Sequence, residues 1–230
     1  MINNQLETKY VAQQVNLAGY TIPGHITPQN DFHYMLPPVV QATNVQSNNT
    51  REGDIIEPVR AKISGHLWYD NLDTVVGNIV FVKLFMVTAK AVKYLPNAVT
   101  DLPAGLLEAG LPDPVSWTAA AQDLQAFFPV CKENYTVLKT KTFKFVKNGG
   151  LPIGNNEGDV ANIGKDRYSF SFSWTPPKLK YALDADTYPQ NHAPVFFAVA
   201  YSPGYNYDTD ASLVGQIKMN WAMEMSYKDA

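Results

Sequence analysis

Polar and apolar residues alternate along several segments of the chain. In "QIKMNWAMEMSY" (216–227), Ile, Met, Trp, Met, Met and Tyr occupy every second position, and mostly polar residues lie between them. The same period of two runs through "RYSFSFSW" (167–174) and "RAKISGHLWY" (60–69). Because successive side chains of a β-strand point to opposite faces of its sheet, this alternation predicts strands with one buried face.

Two further segments, "IVFVKLFMV" (79–87) and "PVFFAVAY" (194–201), are apolar on both faces and predict central strands covered on both sides. Pro, Gly and Asn are dense in the connections between strands, at 18–58, 148–166, 184–194 and 202–213. Short strands joined by long loops predict one all-β domain over residues 1–230, built as a two-sheet antiparallel sandwich. Residues 1–50 are expected to form an extended N-terminal segment.

Helical signals are confined to residues 95–130. Asp101 is placed to cap a short turn through "PAGLLEA" that ends at Gly110, and Ser116 to cap a helix through "WTAAAQDLQAFF". One apolar face of that second helix would consist of Trp117, Ala120, Leu124 and Phe127. The sequence therefore predicts a short helical insertion within one long loop of the sandwich.

The composition narrows the class of protein. The 230 residues are 46% hydrophobic and 17% charged, with a net charge of −3, so a large core is expected and no general attraction to nucleic acid or anionic lipid. The single cysteine, Cys131, excludes a disulfide within the chain and a cysteine-based zinc site. No stretch approaches the run of about 20 apolar residues that a membrane helix needs, and "MINNQLETKY" does not read as a signal peptide.

No pattern indicates catalysis or metal binding. The chain has no G-x-S-x-G element, and its four histidines lie far apart without metal-ligand spacing. The acidic pairs at 184–186 and 208–210 lack the Gly and terminal Glu of an EF-hand calcium loop, so solvated loop acids are the better interpretation. No two carboxylates face each other across a predicted cleft, as a glycosidase would require. We therefore expect no catalytic residue, metal or cofactor.

The basic residues of "TVLKTKTFKFVK" (136–147) divide between two faces of a predicted strand. Lys139 and Lys141 share a face with Val137, Phe143 and Phe145, and Lys144 lies on the other. Only three of the 18 basic residues are arginine, the side chain best suited to phosphate. A solvated strand face is favoured here over a nucleic-acid groove.

Seven short elements, in their order along the chain, resemble the capsid proteins of circular, Rep-encoding single-stranded DNA viruses, the circovirus-like CRESS-DNA viruses. Each element is short, and their shared order over most of the chain carries the resemblance. They are "ETKY" (7–10), "REGDIIEP" (51–58), "FVKLFMV" (81–87), "AGLLEAG" (104–110), "FFPVCKENYTVLKTKTFKF" (127–145), "PPKLKY" (176–181) and "NHAPVFF" (191–197).

The resemblance implies a single jelly roll of eight strands in two antiparallel four-stranded sheets. It implies a viral coat protein, not an enzyme, whose copies self-assemble into a small icosahedral T=1 shell of about 60 subunits. That virion would enclose a circular single-stranded DNA genome and assemble in the host nucleus, with no membrane partner and no cofactor.

One departure from the family concerns DNA binding. Its members usually begin with an arm rich in Arg and Lys, whereas only Lys9 precedes Arg51 in this sequence. Weak binding of viral single-stranded DNA is therefore expected, through phosphate contacts on the lumenal side of the shell. The candidate contact residues are Lys9, Arg60, Lys62, Lys139 and Lys141.

The alternative function is a free-standing, lectin-like β-sandwich binding module. In "YSPGYNYDTD" (201–210), Tyr201, Tyr205 and Tyr207 could form an aromatic platform beside acidic residues. Tyrosine is also enriched at subunit interfaces, and packing between subunits is the favoured interpretation of all three. A jelly-roll capsid protein of a small RNA virus would share the same physical pattern. Assembly separates the main alternatives, because a lectin stays small and a capsid protein forms particles.

Overall fold

The computed structural model describes residues 8–41, 50–69, 79–108, 114–118, 122–146, 167–182, 186–202 and 217–229. Its strands are β1 (Thr8–Thr21), β2 (His33–Tyr34), β3 (Val40–Gln41), β4 (Thr50–Arg51), β5 (Ile55–Tyr69), β6 (Ile79–Ala89), β7 (Tyr135–Val146), β8 (Arg167–Trp174), β9 (Leu179–Lys180), β10 (Pro194–Tyr201) and β11 (Ile217–Asp229). Its helical elements are a 3₁₀ turn (Leu95–Asn97), α1 (Ala98–Asp101) and α2 (Gln122–Gln125).

Two antiparallel sheets form the frame. Sheet 1 has the strand order β1-β11-β5-β8, with the short β9 paired to one end of β5, and sheet 2 has the order β2-β10-β6-β7. The pairing is nested: β6 pairs with β7, β5 with β8, β2 with β10, and β1 with β11. A long antiparallel ribbon wrapped into two sheets produces this nesting, which is the topology of a jelly roll. The predicted all-β class with two antiparallel sheets is confirmed, although β9 makes sheet 1 five-stranded, and β3 and β4 form a separate two-stranded parallel sheet.

The space between the sheets is filled by the residues that the period of two assigned to the buried faces. Ile63 and Leu67 of β5 and Met219 of β11 pack from sheet 1 against Val82 and Leu84 of β6. All five are at most 1% exposed, and the polar residues between them along β5 and β11 face the outside of sheet 1. The predicted assignment of faces in β5, β8 and β11 is therefore confirmed.

A second core covers the outer face of sheet 2. Phe85 of β6 and Phe197 of β10 point away from sheet 1 and pack with Leu106, Leu107 and Trp117 of the insertion. Because both faces of the sheet are covered, all eight residues of β10 are buried. This confirms the prediction that β6 and β10 are central strands covered on both sides.

The helical content of the insertion was predicted wrongly. In the part of 95–130 that the structure describes, α1 and α2 are single turns, and "PAGLLE" is not helical. Leu107 instead exchanges backbone hydrogen bonds with Val115, at 2.8 and 2.9 Å, and forms a bridge with Val130. Tertiary pairing of these backbone groups outweighs the weak local helix signals.

The predicted second helix also fails at its first residues. The Ile26 amide donates to the carbonyl oxygen of Trp117 at 2.9 Å, which holds Trp117 extended, and Ser116 Oγ donates to Ala104 O at 2.5 Å. The indole of Trp117 is 1% exposed, whereas Leu124 is 66% and Phe127 85% exposed. These side chains therefore do not share one buried helical face, and Ala120 lies outside the described residues.

Candidate nucleic-acid interface

Arg60 and Lys62 lie on the outer face of sheet 1, as their positions in β5 predict. Arg60 Nη2 donates to Ser173 Oγ of β8 at 2.8 Å. Lys62 Nζ lies 3.4 Å from Glu224 Oε2 of β11, and both side chains are about one-third exposed. The pair is solvated, so Glu224 orients Lys62 more than it stabilises the fold.

Lys139 and Lys141 lie on β7, the edge strand of sheet 2. Their side chains share a face with Phe143 and Phe145, as predicted, but Val137 does not, because Leu138 is an extra residue in the ladder with β6. The bulge reverses the alternation, so Val137 pairs with Val87, whose side chain belongs to the second core.

The edges of the two sheets meet where β7 passes β8. Lys141 Nζ donates to the carbonyl oxygen of Ser171 at 3.3 Å, and Tyr168 Oη donates to the carbonyl oxygen of Lys144. Since β8 pairs with β5, the same strand separates Lys141 from Lys62 and Arg60. The resulting surface, here named the basic edge, consists of Arg60, Lys62, Lys139 and Lys141.

A shallow depression of about 470 Å³ adjoins the basic edge on the outer face of sheet 1. Its polar lining includes Lys62, Ser64, His66, Ser169, Ser171 and Asn220. Hydroxyl and ammonium groups of this kind suit sugar and phosphate oxygens, which position a nucleic acid without reading its sequence. The arrangement is therefore suited to weak backbone contact.

Lys9 is directed into the fold and does not join the basic edge. Its Nζ lies 2.5 Å from Asp229 Oδ2, 2.8 Å from Glu52 Oε1 and 3.0 Å from the carbonyl oxygen of Thr50. Burial alone would lower the pKa of Lys9, but its contacts with Asp229 and Glu52 outweigh that effect and raise the pKa. Its charge is neutralised within the chain, which corrects its prediction as a DNA contact.

Tyr201 is also placed in the interior. Its ring stacks on Phe81 at 5.4 Å between centroids and contacts the indole of Trp117 at 5.3 Å, and the residue is 7% exposed. Tyr201 therefore belongs to the second core. This corrects the prediction that its side chain contributes to a surface platform or a subunit interface. Tyr205 and Tyr207 lie outside the described residues.

Arg51, which the sequence analysis did not select, joins two of the elements on which the family resemblance rests. It is fully buried, its guanidinium carbon lies 4.4 Å from the ring centroid of Tyr181, and its Nη1 donates to the carbonyl oxygen of Gly53 at 2.8 Å. Next to it, Ile55 and Ile56 pair with β9. The elements "REGDIIEP" and "PPKLKY" are therefore in direct contact, and their Arg and Tyr have a structural role.

The described residues contain no group of three or more His, Cys, Asp or Glu side chains that could hold a metal ion. Burial lowers the pKa of both His33 and His192 to about 4, with Lys93 adding to the effect at His192, so both imidazoles are neutral at pH 7. Asp186 is 9% exposed and accepts hydrogen bonds from Tyr94 and Gln190, which corrects its interpretation as a solvated loop acid. The acids at 184 and 208–210 fall outside the described residues.

A larger cleft, of about 580 Å³, opens at the other side of the sandwich, between the edge strands β1 and β2. The sequence pattern does not predict this cleft. Its residues come from β1, from the turn before β2, from β11 and from the segment around Tyr188, so no contiguous motif marks it. The available signal was the unusual density of amide and aromatic residues in "QNDFHY" (29–34).

Within the described residues, no helix has the length and apolar character needed to cross a membrane. The chain matches no protein-family model, and no curated protein matches it at a significant level.

Proposed function

We propose that the chain is the coat protein of a circovirus-like virus, self-assembling into a small icosahedral shell of T=1 type around a circular single-stranded DNA genome. The virion would be its final location and the host nucleus its place of assembly. The observation that carries the proposal is the nested antiparallel pairing of a jelly roll, the fold that the ordered sequence elements imply. Fold alone does not determine function, so the order of the elements is the second support.

Most of the sequence elements that resemble the family lie in the framework of the sandwich, and their positions there support the proposal. "FVKLFMV" lies on β6 and "NHAPVFF" leads into β10, so the two elements occupy adjacent central strands of sheet 2. The element that ends in "KTFKF" supplies β7, the next strand of the same sheet. Together with the contact between Arg51 and Tyr181, these placements associate most of the elements with the framework of the sandwich.

Exposed apolar residues of the insertion support contact with other copies of the chain. Leu124 is 66% and Phe127 is 85% exposed, and Phe127 N donates to Leu124 O at 3.1 Å, which places both residues in one turn. Large apolar side chains at this exposure are a net cost to a lone subunit and are typical of protein–protein contacts. We assign this turn, Leu124–Phe127, to a subunit interface.

The proposed DNA contact is weak and made through phosphates. The four side chains of the basic edge would neutralise a few phosphates per subunit, so binding would fall steeply with salt and show little preference for sequence. Lys139 and Lys141 lie beside exposed threonines on an edge strand, where a flexible single strand can approach.

Light scattering and negative-stain electron microscopy of the purified chain test the function directly. The expected result is uniform spherical particles of the size of a small virus. A stable monomer or small oligomer at all concentrations and salt conditions, with and without single-stranded DNA, would overturn the coat-protein proposal and favour the lectin-like module.

A further inference from the structure

The cleft between β1 and β2 lies at the opposite side of the sandwich from the basic edge. Two edge strands flank it, because β1 is the outermost strand of sheet 1 and β2 the outermost strand of sheet 2. Its volume of about 580 Å³ falls within the range of about 300–1,000 Å³ that is usual for small-molecule sites. The floor includes Trp221 and Met223 of β11.

Uncharged amide side chains form part of the rim. Gln13, Asn16 and Asn30 are exposed, and among the described residues none of their side-chain amides makes a hydrogen bond within the chain. Gln29 also lines the cleft, and its Nε2 is held by the carbonyl oxygen of Leu102 at 2.9 Å. Each carboxamide can both donate and accept a hydrogen bond. A sugar hydroxyl can also do both, so the two groups are complementary.

Aromatic rings form the other part of the lining, and none of the ring pairs there is parallel. Phe32 and Tyr34 are 5.5 Å apart between centroids and inclined at 43°, and Tyr34 and Tyr188 are 5.0 Å apart at 61°. His33 and Trp221 are 4.7 Å apart at 55°. An aromatic face of this kind is an apolar surface on which the C–H groups of a sugar ring can pack.

None of the described residues that line the cleft carries a charge at neutral pH. His33, the one titratable base among them, is kept neutral because burial lowers its pKa to about 4. A phosphate, a sulfated sugar or an ammonium group would therefore enter the cleft without a counter-charge, which disfavours ionic ligands. Aromatic faces, amides and the absence of charge together select neutral, hydroxyl-rich molecules.

The backbone holds this rim in place before any ligand binds. Residues 16–19 of β1 oppose the single residue Asn220 of β11, and this bulge is made by Asn16 at φ 54° and Gly19 at φ 92°. Asparagine and glycine tolerate the left-handed region best. On the other side, the amides of Asn30 and Asp31 donate to Thr27 O at 2.8 and 2.9 Å, and Asp31 Oδ2 accepts from Thr27 N at 2.6 Å.

We propose that the cleft between β1 and β2 is a binding site for a neutral saccharide, with Asn16 and Asn30 as hydrogen-bonding residues and Tyr188 as an aromatic contact. This site goes beyond the proposed coat function and does not depend on assembly. On a particle, it would give the subunit a means of attachment to a glycan.

Saturation-transfer NMR with the full chain tests the site. The probes are the neutral disaccharides lactose, N-acetyllactosamine, maltose and cellobiose, with a sulfated heparin disaccharide for comparison. Saturation transfer to at least one neutral disaccharide is expected. Transfer to none of the four, or only to the heparin disaccharide, would overturn the proposal.

Variants locate the binding. Asn30→Ala removes an exposed amide, and Asn16→Gly removes the other while keeping the backbone free to adopt a positive φ. Each is expected to weaken the affinity for the bound disaccharide at least tenfold, measured by calorimetry. Ser171→Ala is the control, because Ser171 is exposed in the depression on the outer face of sheet 1 and lies on β8, at the far edge of the sheet from β1; the affinity of this variant should stay within twofold of the native chain. Equal affinities in Asn30→Ala and Ser171→Ala would place the sugar elsewhere and refute the assignment.

Discussion

Lys9 has a structural role that its position in the sequence does not indicate. It stands on the inner side of β1 and ties the first long strand to Asp229 at the end of β11 and to Glu52 beside β4. Three chain segments thus meet at one ammonium group. Losing the group would leave the Asp229 carboxylate, whose side chain is only 19% exposed, without its cation.

Lys9→Met is therefore expected to lower the free energy of unfolding by roughly 1–3 kcal/mol, the usual cost of losing hydrogen bonds to a charged group. Urea denaturation at pH 7 measures the change. Lys144→Met, on the exposed side of β7, is the control and should change stability little. Equal effects of the two substitutions would show that the Lys9 contacts carry no net stabilisation.

His33 sits in an aromatic cluster that gives its imidazolium form no partner. Tyr20, Phe196 and Trp221 surround its ring at centroid distances of 4.4, 4.9 and 4.7 Å. Its Nε2 is buried and has no hydrogen-bond partner among the described residues. Protonation would therefore place a charge in an apolar site, and this is the reason that its pKa is depressed.

This depression predicts a loss of stability in acid. In the unfolded chain, His33 and His192 are each protonated near pH 6.5. In the folded chain, both stay neutral until about pH 4, because burial lowers their pKa. The free energy of unfolding should thus fall as the pH drops from 6.5 to 4. Urea midpoints across this range measure it, and His33→Phe should flatten the profile. The exposed His66→Gln is the control, and a profile unchanged by His33→Phe would contradict the argument.

Within the elements, the pattern of residues predicts which face of a strand is buried but not where the pattern breaks. β8, β11 and the part of β5 from Arg60 onward keep a period of two, and their faces are read directly from the sequence; Val59 forms an extra residue in the ladder between β5 and β11. The bulge at Leu138 breaks the period in β7 and moves Val137 to the other face. The side chains around Leu138 are compatible with either register, so the local sequence does not indicate the bulge.

The conformation of the insertion and the position of the cleft could not be predicted either, because both depend on contacts between separate segments of the chain. Leu107 and Trp117 are extended because their backbones pair with partners far along the chain, and Tyr201 is buried because Phe81 and Trp117 cover it. Local propensity contains none of this information. The positions of Arg60, Lys62 and Lys141 followed from their strands alone, whereas the internal role of Lys9 depends on Asp229.

Gly65 of β5 lies where the neighbouring strands leave no room for a side chain. A Cβ atom added there would lie 2.7 Å from Cζ of Phe170 and nearer still to the carbonyl oxygen of Asn220. Gly65→Ala should destabilise the fold by about 1–3 kcal/mol or more, because backbone and ring must both shift. Ser64→Ala, on the outer side of the same strand, is the control in thermal unfolding. A Gly65→Ala variant as stable as Ser64→Ala would show that the ring of Phe170 moves aside freely.

At the scale of the whole molecule, the exposed turn Leu124–Phe127 links the subunit to its proposed assembly. The double substitution Leu124→Ser and Phe127→Ser should leave thermal stability nearly unchanged, because both side chains are largely solvated in the subunit. Particle formation, followed by light scattering and electron microscopy, should be lost or reduced at least tenfold. Thr136→Ser, on an exposed position of β7, is the control, and normal particles from the double variant would remove this turn from the interface.

The basic edge makes a separate prediction about DNA. Lys139→Gln with Lys141→Gln should reduce the affinity for a single-stranded oligonucleotide at low salt and lessen the slope of log K against log salt by about 1–2, since about 0.7 counterions are released per phosphate. Fluorescence anisotropy measures both quantities. Lys9→Gln should leave the slope unchanged because the Lys9 ammonium is already paired inside the fold. Equal slopes for the native chain and the double variant would exclude Lys139 and Lys141 from DNA binding.

The order β1-β11-β5-β8 has a consequence for synthesis on the ribosome. β1 has a single neighbour in sheet 1, and that neighbour is the last strand of the described chain. The first strand therefore emerges roughly 200 residues before its partner, and must wait with its hydrogen-bonding groups unpaired. Pairing over such a separation is slow. A transcript truncated before residue 217 would yield a product in which sheet 1 lacks the strand that joins β1 to β5, and we expect it to aggregate rather than fold.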